Sequence, residues 1–250
     1  MTAREHPDSR YRYAPGIEPY SGGVIATEGH RIRHVEVTGW PRWQDGFSLI
    51  EEYLSARGLD RRSLCAVELR CPQPHTFDGF ISFNGDYRAQ LAGWDLLVGD
   101  DNPVARTNVA PVHHPPLETV LAGFSVVVPE PLDRPTFVVA GAGDLVDQAD
   151  LRPEAIVDGQ GSDGGPWGAR VDQVLDEMES RLAALGVGWD LVTDIDVYCA
   201  TAGWSDALDR LMARCGSAGA GGLHWFLSHP PITGLSFEMD LRGVVDRDRL

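Results

Sequence analysis

The chain has 250 residues, room for two domains of about 120 residues each. With 43% hydrophobic and 23% charged residues it can build a packed core, and wholesale disorder is excluded. A formal net charge of −16 leaves no basic face for neutralising phosphates, so no nucleic-acid partner is expected.

Further absences narrow the chemistry. No apolar run approaches the roughly 18 residues of a membrane span. The N-terminal stretch MTAREHPDSRYRY lacks the apolar segment of a secretory signal, so no membrane partner and a cytoplasmic location are expected. Cys65, Cys71, Cys199 and Cys215 form no CxxC pair and read as reduced core thiols. All 21 basic residues are arginine. Without lysine, Schiff-base chemistry of the pyridoxal-phosphate or aldolase type and a Walker A site are excluded.

In chain order, Gly23–Gly39 reads as two short strands around a turn. In Asp45–Cys71, Phe47, Ile50 and Leu54 have helical spacing, Gly58 sits where a C-cap would stop the helix, and Val67 and Leu69 alternate in a strand. The segment PHTFDGFISFNGDYRAQL then carries Asn84 and Tyr87 one helical turn apart. Extended segments follow at Val104–Val112 and Val120–Val128, on either side of His114-Pro115-Pro116. Glu130–Arg134 reads as a linker, Pro135–Leu145 as a buried strand ending in small residues, and Asp158–Gly168 as a flexible loop. Gln173–Cys199 then repeats Asp45–Cys71: Leu175, Met178, Leu182, Gly186, Ile195 and Val197 stand 128 positions after Phe47, Ile50, Leu54, Gly58, Val67 and Leu69. Leu223–Leu227 and Leu235–Val245 flank a second His229-Pro230-Pro231. The expected fold class is therefore α+β, two tandem β-β-α-β-α-β-β modules over 17–129 and 135–246 joined by 130–134, each a mixed sheet with helices on one face.

Several motifs carry two readings. Gly141-Ala142-Gly143 after a strand lacks the third glycine and the prompt helix of a dinucleotide site; it reads as a strand end where backbone approaches another chain closely. His113 and His114 would point to opposite faces of a strand, without a carboxylate at ligand spacing, so no metal site is expected. Arg106 lies in an otherwise apolar strand and needs an anionic partner, either a structural carboxylate or the carboxylate of a substrate. Asn84 and Tyr87 either face the same pocket or the helix surface, and Glu238 and Asp240 either work there or are solvated.

With these pieces assembled, each half resembles the RidA/YjgF family of enamine and imine deaminases, whose modules have a chorismate-mutase-like fold. The first half has Pro19-Tyr20, Thr38-Gly39 in place of the small-residue turn, Asn84 with Tyr87, and Arg106 nine residues before Pro115. The second offers Ala140-Gly141 and Glu238-Met239-Asp240, but has no arginine around Gly221–His224 and has Leu208 where the Asn would stand. NPVARTNVAP followed by PPLETVLAGFS resembles the double-length branch of this superfamily that includes 2-aminomuconate and 2-amino-5-chloromuconate deaminases. The resemblance implies a site between unlike halves. Arg106 would clamp a small carboxylate substrate, Glu238 would act as acid/base, and Tyr20, Gly39, Asn84, Asn108 and Gly141 would bind substrate or water. It implies neither metal nor organic cofactor, and self-association as a homotrimer. Two rival expectations are a biosynthetic tailoring enzyme on a chorismatase-like scaffold and a non-catalytic small-acid-binding protein.

Overall fold

The computed structural model describes residues 2–8, 10–158, 165–200 and 204–250. Strands β1 (Arg4–Glu5), β2 (Tyr11–Ala14) and β3 (Gly23–Ala26) lead into β4 (Arg31–Glu36), α1 (Trp43–Ser55), β5 (Leu64–Arg70), α2 (Phe77–Gly93), β6 (Ala105–Pro111) and β7 (Val120–Val128). The second half runs through β8 (Phe137–Gly143), α3 (Gly165–Leu185), β9 (Asp194–Tyr198), α4 (Trp204–Cys215) and α5 (Ser217–Ala220). It ends with β10 (His224–Phe226), β11 (Ser228–His229), β12 (Glu238–Gly243) and β13 (Asp246–Arg249). The loop expected over Asp158–Gly168 falls mostly outside the described residues, and from Gly165 the chain is already in α3. His113 and His114 lie beyond the end of β6, not on a strand; His114 takes a left-handed φ of 51° at an exposed bend.

The expected internal similarity appears as strand order. The six-stranded sheet runs β11-β6-β5-β7-β4-β13 and the seven-stranded sheet β1-β2-β3-β8-β12-β9-β10. In each, the β-α-β-α-β-β chain order lays its strands down third, second, fourth, first: β6-β5-β7-β4 and β10-β9-β12-β8. Within these four-strand units β5 pairs with β6 and β9 with β10 in parallel, which needs the crossover helices α2 and α4. Gly58 and Gly186 both take the left-handed φ of a helix stop, 66° and 77°.

The outer strands do not stay with their own half. β3 and β4 are the two strands expected in Gly23–Gly39, yet β3 pairs with β8 of the other sheet (Gly23 opposite Val139). The C-terminal β13 pairs in parallel with β4 (Asp246 opposite Arg33). Each exchange gives a partner to a backbone edge that would otherwise be bare.

Alternation along the strands sets the layers. Val67 and Leu69 pack outward under α1 and α2 with Phe47, Ile50, Leu54 and Tyr87. Ile195, Val197, Met239 and Leu241 pack outward under α3 and α4 with Leu175, Met178 and Leu182. The inner faces meet through Tyr11, Val24, Ile32, Ala66, Ala105, Val138 and Ala140, drawn from both sheets. Helix, sheet, sheet, helix is the resulting order.

Candidate active site

Arg106 stands opposite Val67 across the parallel β5–β6 pair, so its side chain leaves the sheet on the helix side, beneath α2. Thr76 starts α2 by accepting the Gly79 backbone N–H at 3.1 Å, which sets the rotation of the helix over the sheet. Asn84 and Tyr87, one turn apart, are both buried there. Arg106 donates from Nη2 to Asn84 Oδ1 at 2.7 Å. Its guanidinium carbon lies 4.7 Å from the Tyr87 ring centre and 4.8 Å from that of Tyr20, with Phe80 and Phe83 at 5.6 Å.

Arg106 is only 3% exposed, its Nη1 has no partner, and among the described residues no carboxylate pairs with it. Burial is the main influence on it and lowers its pKa, but a guanidinium keeps its charge at any ordinary pH. An isolated buried cation costs several kcal/mol unless an anion reaches it. Asn108, two residues along β6, has both amide atoms buried and unpartnered, as are the Asn84 Nδ2 and the Tyr87 hydroxyl. These unmet donors and the Asn108 Oδ1 acceptor lie around one guanidinium.

The opposing wall comes from the other sheet. Glu238 opens β12 opposite Gly143 on β8 and is 3% exposed. A Cβ on Gly141 would lie 2.4 Å from Glu238 Oε1 and 3.1 Å from Thr107 Cγ2, so only glycine leaves that carboxyl its place. Burial first, and then nearby Asp240, push the Glu238 carboxyl well above the usual range; Arg181 and Arg106 oppose this less. Burial therefore favours the acid form of Glu238. Asp144 holds the approach to β12 in position. Its carboxylate accepts from the backbone N–H groups of Ser236 and Phe237 and pairs with Arg170 at 2.7 Å. Arg181 braces the end of β8 by donating to the carbonyls of Ala140 and Gly141.

Tyr20, Arg106, Asn108, Gly141 and Glu238 thus line one cleft, with Asn84 fastened to its arginine. Gly39 does not join them. It follows β4 with φ 76°, and its neighbours Thr38 and Trp40 line a separate cavity of about 560 Å³ with His34, Glu68, Asp196 and Arg242. β4 and β8 hold the same place in their sheets, but the end of β8 is the one that meets β6. By register, the position matching Arg106 in the second sheet is Leu223, which precedes His224 opposite Asp196. Among the described residues no group of three or more His, Cys, Asp or Glu side chains is placed to hold a metal ion.

The cleft thus brings a buried arginine with an open Nη1 together with a buried carboxyl whose pKa is raised, a pairing suited to a small acid. The family model described as 2-aminomuconate deaminase CnbZ matches residues 3–248. The chain belongs to this deaminase family. The 2-amino-5-chloromuconate deaminase of Comamonas testosteroni is 37% identical over 239 residues, 94% of each chain. Among solved structures, a chorismatase is 12% identical with a TM-score of 0.49, covering 98% of this chain and 80% of its own. The YjgF gene product of E. coli is 11% identical with a TM-score of 0.26, covering 44% of this chain and 80% of its own.

The cleft is also lined by residues that sequence reasoning passed over. Phe80 belongs to α2, and Leu145, Gln148 and Leu151 to the segment after β8. Pro231, Ile232 and Leu235 lie in the turn before β12. The second His-Pro-Pro run was the available signal for that turn: His75 donates its N–H to the Pro231 carbonyl, and Thr233 donates back to that of His75.

Proposed function

We propose that the cleft between β6 and β12 hydrolyses the carbon–nitrogen bond of a 2-aminomuconate-type acid, releasing ammonia and leaving a 2-oxo acid. The observation that carries this reading is the unpaired Arg106 guanidinium, with its free Nη1, on the same cleft as the buried Glu238 carboxyl, whose acid form burial favours. Arg106 binds the carboxylate next to the amine-bearing carbon, with Asn84 fixing the guanidinium plane. Tyr20 covers the clamp, and Asn108 supplies an acceptor and a donor to the amine and to water. Gly141 leaves room for Glu238.

The chemistry needs one acid that becomes a base. Glu238 gives its proton to the enamine carbon, and the nitrogen lone pair forms the iminium bond. Water adds to the iminium carbon and returns a proton to the Glu238 carboxylate. The carbinolamine then breaks its C–N bond: the nitrogen leaves as ammonia with a proton relayed through Glu238, and the hydroxyl becomes the carbonyl. Such proton transfer contributes typically about 10²–10⁴-fold. The residues suffice for this sequence without a metal or organic cofactor.

We further assign residues 17–129 and 135–246 as the two modules, with 130–134 between them, and a homotrimer in the cytoplasm as the working form. Cys65, Cys71, Cys199 and Cys215 are buried thiols rather than disulfide halves, which supports a reducing compartment. The test is ammonia release from freshly generated 2-aminomuconate by purified protein, with Arg106→Ala alongside. Turnover that is lost in the variant supports the assignment; a folded protein with no turnover removes it.

A further inference from the structure

The cleft has a cavity of only about 20 Å³, room for about one water molecule. That is far too small for a muconate skeleton. Immediately beside it lies a groove of about 390 Å³. Leu151 lines both spaces, and Asn84, which holds Arg106, lines the groove as well. Tyr20, on the cleft side, is joined to Ile17, on the groove side, through its N–H to the Ile17 carbonyl at 3.1 Å. The two volumes therefore share a wall at Leu151.

The groove's walls are chiefly apolar: Ile17, Pro19, Ile81, Ala149 and Leu151. Ile81 is 49% exposed on α2, an apolar side chain with nothing laid over it. Arg88, one turn beyond Asn84 on the same helix, closes the polar end, donating to the carbonyls of Glu18 and Asp100. Arg88 also pairs with the Glu18 carboxylate at 3.3 Å, so it is a structural end wall, and the apolar trough running from the clamp toward it suits the carbon chain of an acid whose carboxylate Arg106 holds. The segment bearing Ala149 and Leu151 is tied down at its base, where Val146 N–H donates to the Ala155 carbonyl at 2.8 Å, so its tip alone forms the wall.

We propose that this groove is the subsite for the distal carbons of the substrate, and that Ile81, Ala149 and Leu151 set the preference for long acids over short ones. The proposal rests on the deaminase reading of the adjoining cleft. It is tested with Ala149→Trp and Ile81→Glu, both at exposed positions outside the clamp. Each is assayed for ammonia release from 2-aminomuconate and from 2-iminopropanoate generated in situ, and titrated calorimetrically with muconate, which carries no amine. The groove predicts at least a tenfold fall in kcat/KM for 2-aminomuconate, through KM, with 2-iminopropanoate within twofold and muconate binding weakened at least tenfold. Both substrates responding alike, or neither, overturns the groove while the deaminase stands. No ammonia from wild-type protein, with muconate binding still lost in both variants, overturns the deaminase reading and keeps the groove. No ammonia and no muconate binding overturns both.

Discussion

Arg106 Nη2 donates to Asn84 Oδ1 at 2.7 Å while Arg106 Nη1, equally buried, meets nothing. One half of the guanidinium is thus spent on orientation and the other is kept for a ligand. Removing the guanidinium with Arg106→Ala takes away charge-assisted bonds of about 1.5–3 kcal/mol each, so kcat/KM falls by about 10²–10⁴. Asn84→Ala leaves the charge but frees the plane; KM rises about tenfold with kcat little changed. Steady-state kinetics on both variants checks this. Equal losses in kcat and KM effects from Asn84→Ala would mean that it does more than orient.

The same unpaired charge has a thermodynamic signature. Arg106 sits among Tyr20, Phe80, Phe83 and Tyr87, with no carboxylate paired to it among the described residues. Arg106→Leu keeps the packing and removes the desolvated charge, so the variant is more stable by about 1–3 kcal/mol while inactive. Thermal unfolding should show Tm raised by about 2–8 °C. A lower Tm would show that the aromatic cage needs the cation.

Glu238 predicts how activity depends on pH. Its folded-state pKa is raised well above the ordinary carboxylate value, so the acid form persists to higher pH than in a free carboxyl, and kcat/KM falls on the alkaline side as the carboxyl ionises. Asp240, itself raised to about 7 by burial and by Asp196, is the like charge that helps keep Glu238 protonated. Asp240→Asn removes that repulsion and moves the alkaline limb down by about one pH unit. Stability follows the same sign. The unfolded carboxyl ionises from its ordinary 4.5 upward while the folded one does not, so stability is lost as pH rises from there toward the folded pKa. Glu238→Gln abolishes this loss, and its Tm advantage over wild type grows between pH 5 and 8.

Much of this was legible in the sequence. Phe47, Ile50 and Leu54 match Leu175, Met178 and Leu182 because both helices bury one stripe on a sheet, and periodicity reports burial directly. Arg106 stood out because a charge in an apolar strand demands a partner. Glu238 and Asp240 stayed open, since alternation shows that two residues share a face but not whether water reaches it. The exchanges of β3 and β13 between sheets were invisible, because an edge accepts any strand the tertiary fold delivers. Leu151 and Gln148 were invisible too: they come from a segment without periodicity, placed only by what it packs against.

Gly39 and Gly141 show the limit most plainly, and they provide a paired test. Both follow or end the first strand of a module, and either fits a small-residue turn beside a substrate. Only packing separates them. Gly141→Ala places a methyl 2.4 Å from Glu238 Oε1, with Thr107 Cγ2 at 3.1 Å behind it, so the carboxyl is driven from the cleft. The expected result is a fall of about 10²-fold in kcat/KM with about 1–3 kcal/mol of overpacking strain. A Cβ on Gly39 would meet nothing within 4 Å, but its φ of 76° is a left-handed conformation. Gly39→Ala therefore costs about 1–2 kcal/mol of stability and leaves kcat/KM within twofold. Paired kinetics and thermal melts separate the two sites. Activity lost at Gly39 and kept at Gly141 would put the reacting carbon in the wider cavity beside Glu68 and Asp196, not beneath α2.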